Sequence, residues 1–69
     1  MEDLTIKQKE TYDFIKKYIK NNGYSPSVRE ISYIFDKSVG TVHPMLKKLK
    51  SKGYIDYVSG KARTIKILK

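Results

Sequence analysis

The chain has 69 residues, a formal net charge of +8 and no cysteine. At this length one small core is only just sufficient and a deep catalytic cleft is hard to build, which weighs against an enzyme. The lack of cysteine excludes disulfides and thiolate metal sites, and the lack of a long apolar run excludes a membrane span or signal peptide. We expect one domain over residues 1–69, soluble and cytoplasmic, without cofactor or metal.

The excess positive charge lies in the second half of the chain. Residues 1–36 contain six Lys/Arg and six Asp/Glu, whereas residues 37–69 contain nine Lys/Arg and one Asp/Glu. A one-sided positive field attracts polyanions, so nucleic acid or an anionic membrane is the expected partner. A lysine-rich surface that serves only solubility is the alternative.

Two capping boxes predict where the first two helices begin. Thr5 with Gln8, and Ser27 with Glu30, have the spacing at which side chains satisfy free backbone N–H groups of a first turn. Gly23 suits the left-handed conformation that ends a helix. The helices predicted from these patterns cover residues 6–22 and 28–35.

A third helix follows after a tight turn in which Asp36 can adopt a left-handed conformation. Its pattern runs over residues 39–52 and stops at Gly53. The core positions predicted for the second helix are Ile31, Ile34 and Phe35, and those for the third are Val42, Leu46 and Leu49, with Val39 and Met45 at the margins. The six tyrosines mostly neighbour apolar positions, which predicts core or core-rim roles.

Beyond Gly53 the apolar period changes to two, which is typical of β-strands. Residues 54–58 and 63–68 are β-prone and are separated by the four residues 59–62, which predicts a hairpin. Ile65 and Ile67 should face inward and Lys66 outward. An isolated hairpin is marginal, so it should pack on the helices.

This order of elements predicts an α+β, mostly α, winged helix-turn-helix of three helices and a two-stranded β-hairpin wing. The alternative is a three-helix bundle with a hairpin and no nucleic-acid role. Topology alone leaves protein contact open, since winged helices also serve as interaction modules and function is argued from the site.

The third helix has an outward face suited to a recognition helix. At about 100° per residue, the side opposite the core is centred on Gly40, Pro44, Lys47 and Ser51, with Thr41, His43 and Lys48 on its flanks. Compact groups near the N-terminus can meet base edges, and the lysines can reach phosphates.

Four segments of the chain together resemble the N-terminal DNA-binding domain of the LexA repressors of the bacterial SOS response. They are LTIKQKETYDFIKKYIKNNGYSPSVREI, the TVH-x-x-L of Thr41 to Leu46, the L-x-x-KGYI of Leu49 to Ile55, and SGKARTIKIL. The resemblance implies a winged helix-turn-helix that binds operator DNA in the major groove through the third helix and touches the backbone through the wing.

Carried over by position, the family's reading segment falls on Ser38, Gly40, Thr41, His43 and Pro44. Lys47 and Lys48 complete the predicted recognition-helix contacts, and the predicted backbone contacts are Ser27, Arg29, Lys61 and Arg63. Ordinary hairpin charges are the alternative for Lys61 and Arg63, and plain exposure is the alternative for His43. No metal role is expected for His43, because the chain has no cysteine and no second histidine.

The chain departs from the family in three ways. The turn before the third helix is one residue shorter, with Asp36 where glycine is usual, and Gly40 and Pro44 are unusual on the reading face. The sequence stops at Lys69, before any hinge or Ser/Lys peptidase pair. We therefore expect no self-cleavage and a monomer in isolation that pairs on DNA, either an excised domain or a stand-alone relative from a mobile element.

Pro44 lacks the N–H that would bond the Gly40 carbonyl. A cap at Gly40 or Thr41 would place this loss in the first turn, whereas a cap at Ser38 would place Pro44 inside the helix. In both cases the sequence predicts an accepting carbonyl and a proline ring on the DNA side.

The leading function is a sequence-specific, double-stranded-DNA-binding repressor with a palindromic operator. The runner-up is a winged-helix protein-interaction module, such as an antirepressor or competitor from a mobile element. An enzyme is disfavoured, since no catalytic constellation is present.

Overall fold

Three helices and a short hairpin follow one another in the computed structural model, which describes residues 3–69. The helices are α1 (Ile6–Asn22), α2 (Val28–Ile34) and α3 (Val39–Ser51), and the antiparallel strands are β1 (Ile55–Asp56) and β2 (Lys66–Ile67). This is the predicted winged helix-turn-helix arrangement. We refer to residues 54–68 as the wing.

The helix boundaries follow from local capping. Thr5 Oγ1 accepts from the Gln8 N–H at 3.1 Å, and Gln8 Oε1 accepts from the Thr5 N–H at 3.0 Å, so both halves of the predicted capping box are present. Ser27 and Glu30 form the same box before α2, with distances of 3.1 and 2.9 Å. Gly23 ends α1 with a φ of 78°, the left-handed value predicted for it.

One hydrophobic core joins the helices to the wing. Its buried members are Tyr12, Ile15, Ile31, Val42, Leu46, Leu49, Ile55 and Ile65. All three residues predicted for the core face of α3 are among them. The wing contributes one residue from β1 and one from just before β2, so its position depends on the same core as that of α3.

The prediction for α2 is wrong at Ile34, which is 54 % exposed. At about 100° per residue, Val28, Ile31 and Phe35 fall within an arc of about 60°, and Ile34 lies about 60° outside it. Tyr33 and Tyr24 are also exposed, whereas the other four tyrosines are buried or half-buried, as predicted for most of the six. The short α2 therefore buries a narrower stripe than its apolar sequence suggests.

The strands are much shorter than predicted, with only the pairs Ile55–Ile67 and Asp56–Lys66 in register. The ladder stops because the next backbone groups bond elsewhere. The Ile65 N–H donates to Ser25 Oγ at 3.2 Å, and the Val58 N–H donates to Thr64 Oγ1 at 2.9 Å. Ile65 is buried and Lys66 is exposed, as the period-two pattern predicts.

Candidate nucleic-acid interface

The outward face of α3 consists of residues that the structure leaves exposed. They are Gly40, Thr41, His43, Pro44, Lys47, Lys48 and Ser51. On the opposite side Val42, Leu46 and Leu49 are at most 2 % exposed. The division of α3 into a core face and an outward face is therefore confirmed.

Ser38 begins α3. Its Oγ accepts from the Thr41 N–H at 3.2 Å and lies 3.0 Å from Thr41 Oγ1, so its side chain closes the first turn. The alternative of a cap at Gly40 or Thr41 is wrong. Pro44 is consequently the sixth residue of α3 and lies inside the helix.

A groove of about 460 Å³ separates α3 from the wing. We call it the α3–wing groove, and its lining residues are Val28, His43, Pro44, Lys47, Tyr57, Val58, Ser59, Gly60 and Lys61. The fold thus brings three predicted recognition-helix residues and one predicted wing contact, which are distant in sequence, to one open surface.

The lysines of α3 and of its C-cap, Lys52, fall into two groups. Lys50 Nζ lies 3.3 Å from Asp56 Oδ1 and donates to the Tyr57 carbonyl at 3.1 Å, and Lys52 Nζ donates to Gln8 Oε1 at 2.7 Å. Within residues 3–69, by contrast, the side chains of Lys47 and Lys48 make no hydrogen bond or ion pair, nor does the side chain of Lys61 in the wing. Lysines that are exposed and unpaired can bind an external anion without first breaking an internal contact.

Arg63 has an intramolecular role that neither sequence alternative anticipated. Its guanidinium forms a fork to the Glu30 carboxylate, with N–O distances of 2.9 and 3.0 Å, and donates to the Ser25 carbonyl at 3.1 Å. It also lies over the Tyr24 ring at 5.0 Å. Arg63 thereby holds the wing against the segment between α1 and α2 and against the first turn of α2.

The remaining predicted contacts lie at the start of α2. The Ser27 hydroxyl is used in the capping box, as described above, whereas Arg29 is exposed and its guanidinium has no hydrogen bond or ion pair within the described part of the chain. Sequence reasoning missed Ser25, which is 4 % exposed and bonds both the Ile65 N–H and Arg63. No local pattern marks it, because its partners lie about 40 residues away.

The hydrogen bonds at Glu30 make stability sensitive to acid. The backbone N–H of Ser27 and, next, the Arg63 guanidinium hold the pKa of the Glu30 carboxyl below its ordinary value of 4.5, and the same pairing raises the pKa of Arg63. Because the folded pKa is lowered, this contribution to stability is complete above about pH 4.5 and is lost as the pH falls through the lowered value.

Glu30→Gln should therefore flatten the acid-induced fall in unfolding free energy between about pH 5 and 2. Glutamine can still close the capping box but cannot pair ionically with Arg63. Urea unfolding at a series of pH values measures this. Glu10→Gln is the control, since within residues 3–69 that carboxylate has no ion pair; equal slopes for both variants would contradict the role of Glu30.

Comparison with known proteins identifies the family. The protein-family model of the LexA DNA-binding domain matches residues 1–64 of the sequence. The chain belongs to the LexA DNA-binding domain family. It is 49 % identical over 70 residues to the LexA repressor of Desulfatibacillum aliphaticivorans, 46 % over 69 residues to that of Staphylococcus epidermidis, and 39 % over 69 residues to the transcription regulator LexA of Synechocystis.

These alignments cover 99 to 100 % of this chain and 34 % of each relative, so the chain spans about a third of the length of the curated LexA proteins it matches. What they match is the DNA-binding part. Within residues 3–69 no helix is long and apolar enough to cross a membrane, and no cluster of three His, Cys, Asp or Glu could hold a metal ion.

Proposed function

We propose that this chain binds double-stranded operator DNA sequence-specifically and acts as the DNA-reading module of a LexA-type transcriptional repressor, with α3 in the major groove and the wing on the phosphate backbone. The observation that carries the proposal is the α3–wing groove, where an exposed recognition face meets unpaired lysines from two separate elements. Membership of the LexA DNA-binding domain family supports the same assignment.

The contacts divide by chemistry along α3. The first two turns carry Gly40, Thr41, His43 and Pro44, whose compact or polar groups suit base edges. Lys47, Lys48 and Lys61 suit phosphates, and Arg29 supplies a further cation at α2. Ser38 orients the reading turns as their cap.

Ser27 and Arg63 enter the proposal as supports and not as DNA contacts. The Ser27 hydroxyl caps α2, and the guanidinium of Arg63 is held by Glu30 and Ser25. Moving Arg63 to a phosphate would leave the Glu30 carboxylate without its cation, which opposes such a contact.

We further propose that residues 1–69 act as one winged helix-turn-helix domain of a bacterial or mobile-element protein of the cytoplasm. The chain would be monomeric in isolation and would pair on a palindromic operator of the SOS type. Pairing suits the size of the reading surface, because one short helix reads few base pairs and a second half-site adds the rest of the specificity.

Selection of bound sequences from a random duplex pool tests this function. We expect an enriched motif, and affinity for it about a thousandfold or more above that for random duplex at about 0.15 M salt. Binding to all duplexes alike would contradict operator recognition. Binding to no duplex would favour the protein-interaction alternative.

A further inference from the structure

One backbone hydrogen bond of the helix is missing on the outward face of α3. Because Ser38 is the cap, Pro44 lies inside the helix, and it has no N–H to donate to the carbonyl of Gly40 four residues earlier. Gly40 and Pro44 are one turn apart and both exposed, so the acceptor lacking its usual donor and the proline ring occupy the same side of the helix.

Both residues are exposed, and neither belongs to the core cluster. A proline in a helix interior costs about 3 kcal/mol and a glycine about 1 kcal/mol relative to alanine. Within residues 3–69, a Cβ at Gly40 would meet only Ser38 Oγ, at 3.8 Å, so the glycine is not required by a close intramolecular neighbour. Two helix-weakening residues on one open face indicate a requirement imposed from outside the chain.

The chemistry of this pair is that of an acceptor beside an apolar ring. In the major groove the base donors are the N6 amine of adenine and the N4 amine of cytosine, and the exposed apolar group is the C5 methyl of thymine. An A·T pair offers an amine and a methyl together. A G·C pair offers an amine without a methyl.

We propose that the Gly40 carbonyl and the Pro44 ring together read an A·T base pair, in which the carbonyl accepts from adenine N6 and the ring packs on the thymine methyl. This inference rests on the proposed function and deepens it by assigning one base-pair preference to a backbone carbonyl. Gly40 supplies an open approach for the backbone, and Pro44 keeps the carbonyl out of the helical ladder while adding the apolar contact.

Modified duplexes test the inference on the unaltered chain. Starting from the selected operator, each thymine is replaced singly by uracil, which lacks the methyl, and each adenine by purine, which lacks the amine. We expect one pair in each half-site at which uracil weakens binding about fourfold and purine about two- to tenfold. If no pair responds to both replacements, the inference is overturned.

Pro44→Ala supplies the second arm. Alanine restores an N–H for the Gly40 carbonyl and removes the ring, so the variant should still bind duplex DNA but lose the response to both replacements at that pair. Asn21→Ala is the matched control, because it also favours a helix but lies on α1, outside the α3–wing groove, and it should keep both responses. Retention of both responses by Pro44→Ala would overturn the inference alone, whereas failure of the unaltered chain to bind any duplex would overturn the proposed function and the inference with it.

Discussion

Leu49→Ala should lower the free energy of unfolding by about 2–5 kcal/mol. Leu49 is 0 % exposed and belongs to the core cluster that joins α1, α2, α3 and the wing, so no single element can move to fill the space. A domain of this size has only about 3–10 kcal/mol in total. Urea denaturation followed by the helical circular dichroism signal should therefore show a transition midpoint at a much lower urea concentration than that of the unaltered chain.

An exposed position on the same helix provides the comparison. Ser51→Ala changes a residue of the last turn of α3 that the structure leaves in solvent, and it should alter stability by no more than about 0.5 kcal/mol. If Leu49→Ala costs less than about 1 kcal/mol, the core must relax around the deletion, and the wing would not depend on α3 for its position.

The helices were predictable because their determinants are local. Each capping box spans four residues, and Gly23 and Asp36 adopt the left-handed conformations expected of them, with φ values of 78° and 53°. The Ile34 prediction failed for a different reason. Which side of the apolar stripe of α2 is buried depends on how α2 packs against α1 and α3. No pattern within α2 contains that information.

The wing shows the limit of sequence reasoning more clearly. Period-two alternation correctly predicted Ile65 inward and Lys66 outward, but the ladder is cut short by Ser25, which lies between α1 and α2. Arg63 has a positive φ of 57° and turns its guanidinium to Glu30. These contacts form only when distant segments meet, so the strand lengths and the role of Arg63 needed the folded structure.

The outward face of α3 was predictable because burying one side of a helix decides which residues remain on the other. The sequence did not predict which lysines of α3 are free to bind an external anion. Lys50 lies beside Asp56 in the folded chain, whereas Lys47 and Lys48 form no ion pair within residues 3–69. The charge asymmetry of the sequence thus overstates the cations available to DNA, since several are used to hold the wing and the N-terminus.

Replacing the three unpaired lysines Lys47, Lys48 and Lys61 by glutamine should weaken operator binding by about two orders of magnitude at 0.15 M salt. Log affinity falls as log salt rises, and each lost phosphate contact makes this slope about 0.9 less steep. The slope should therefore be about 2.7 less steep for the triple variant. Fluorescence anisotropy across a salt series measures both quantities. Preference among duplex sequences should change little, because phosphate contacts carry little sequence information.

A second triple variant with the same loss of charge distinguishes direct contacts to DNA from the long-range effect of net charge. Lys16, Lys17 and Lys20 are exposed and border a surface patch formed by α1 alone, so replacing all three by glutamine removes the same charge away from the α3–wing groove. That variant should lose only a few-fold in affinity, since exposed charges beyond a Debye length of about 8 Å are largely screened. If both triple variants weaken binding and flatten the slope equally, net charge and not the α3–wing groove determines the affinity, because only direct contacts distinguish the two sets.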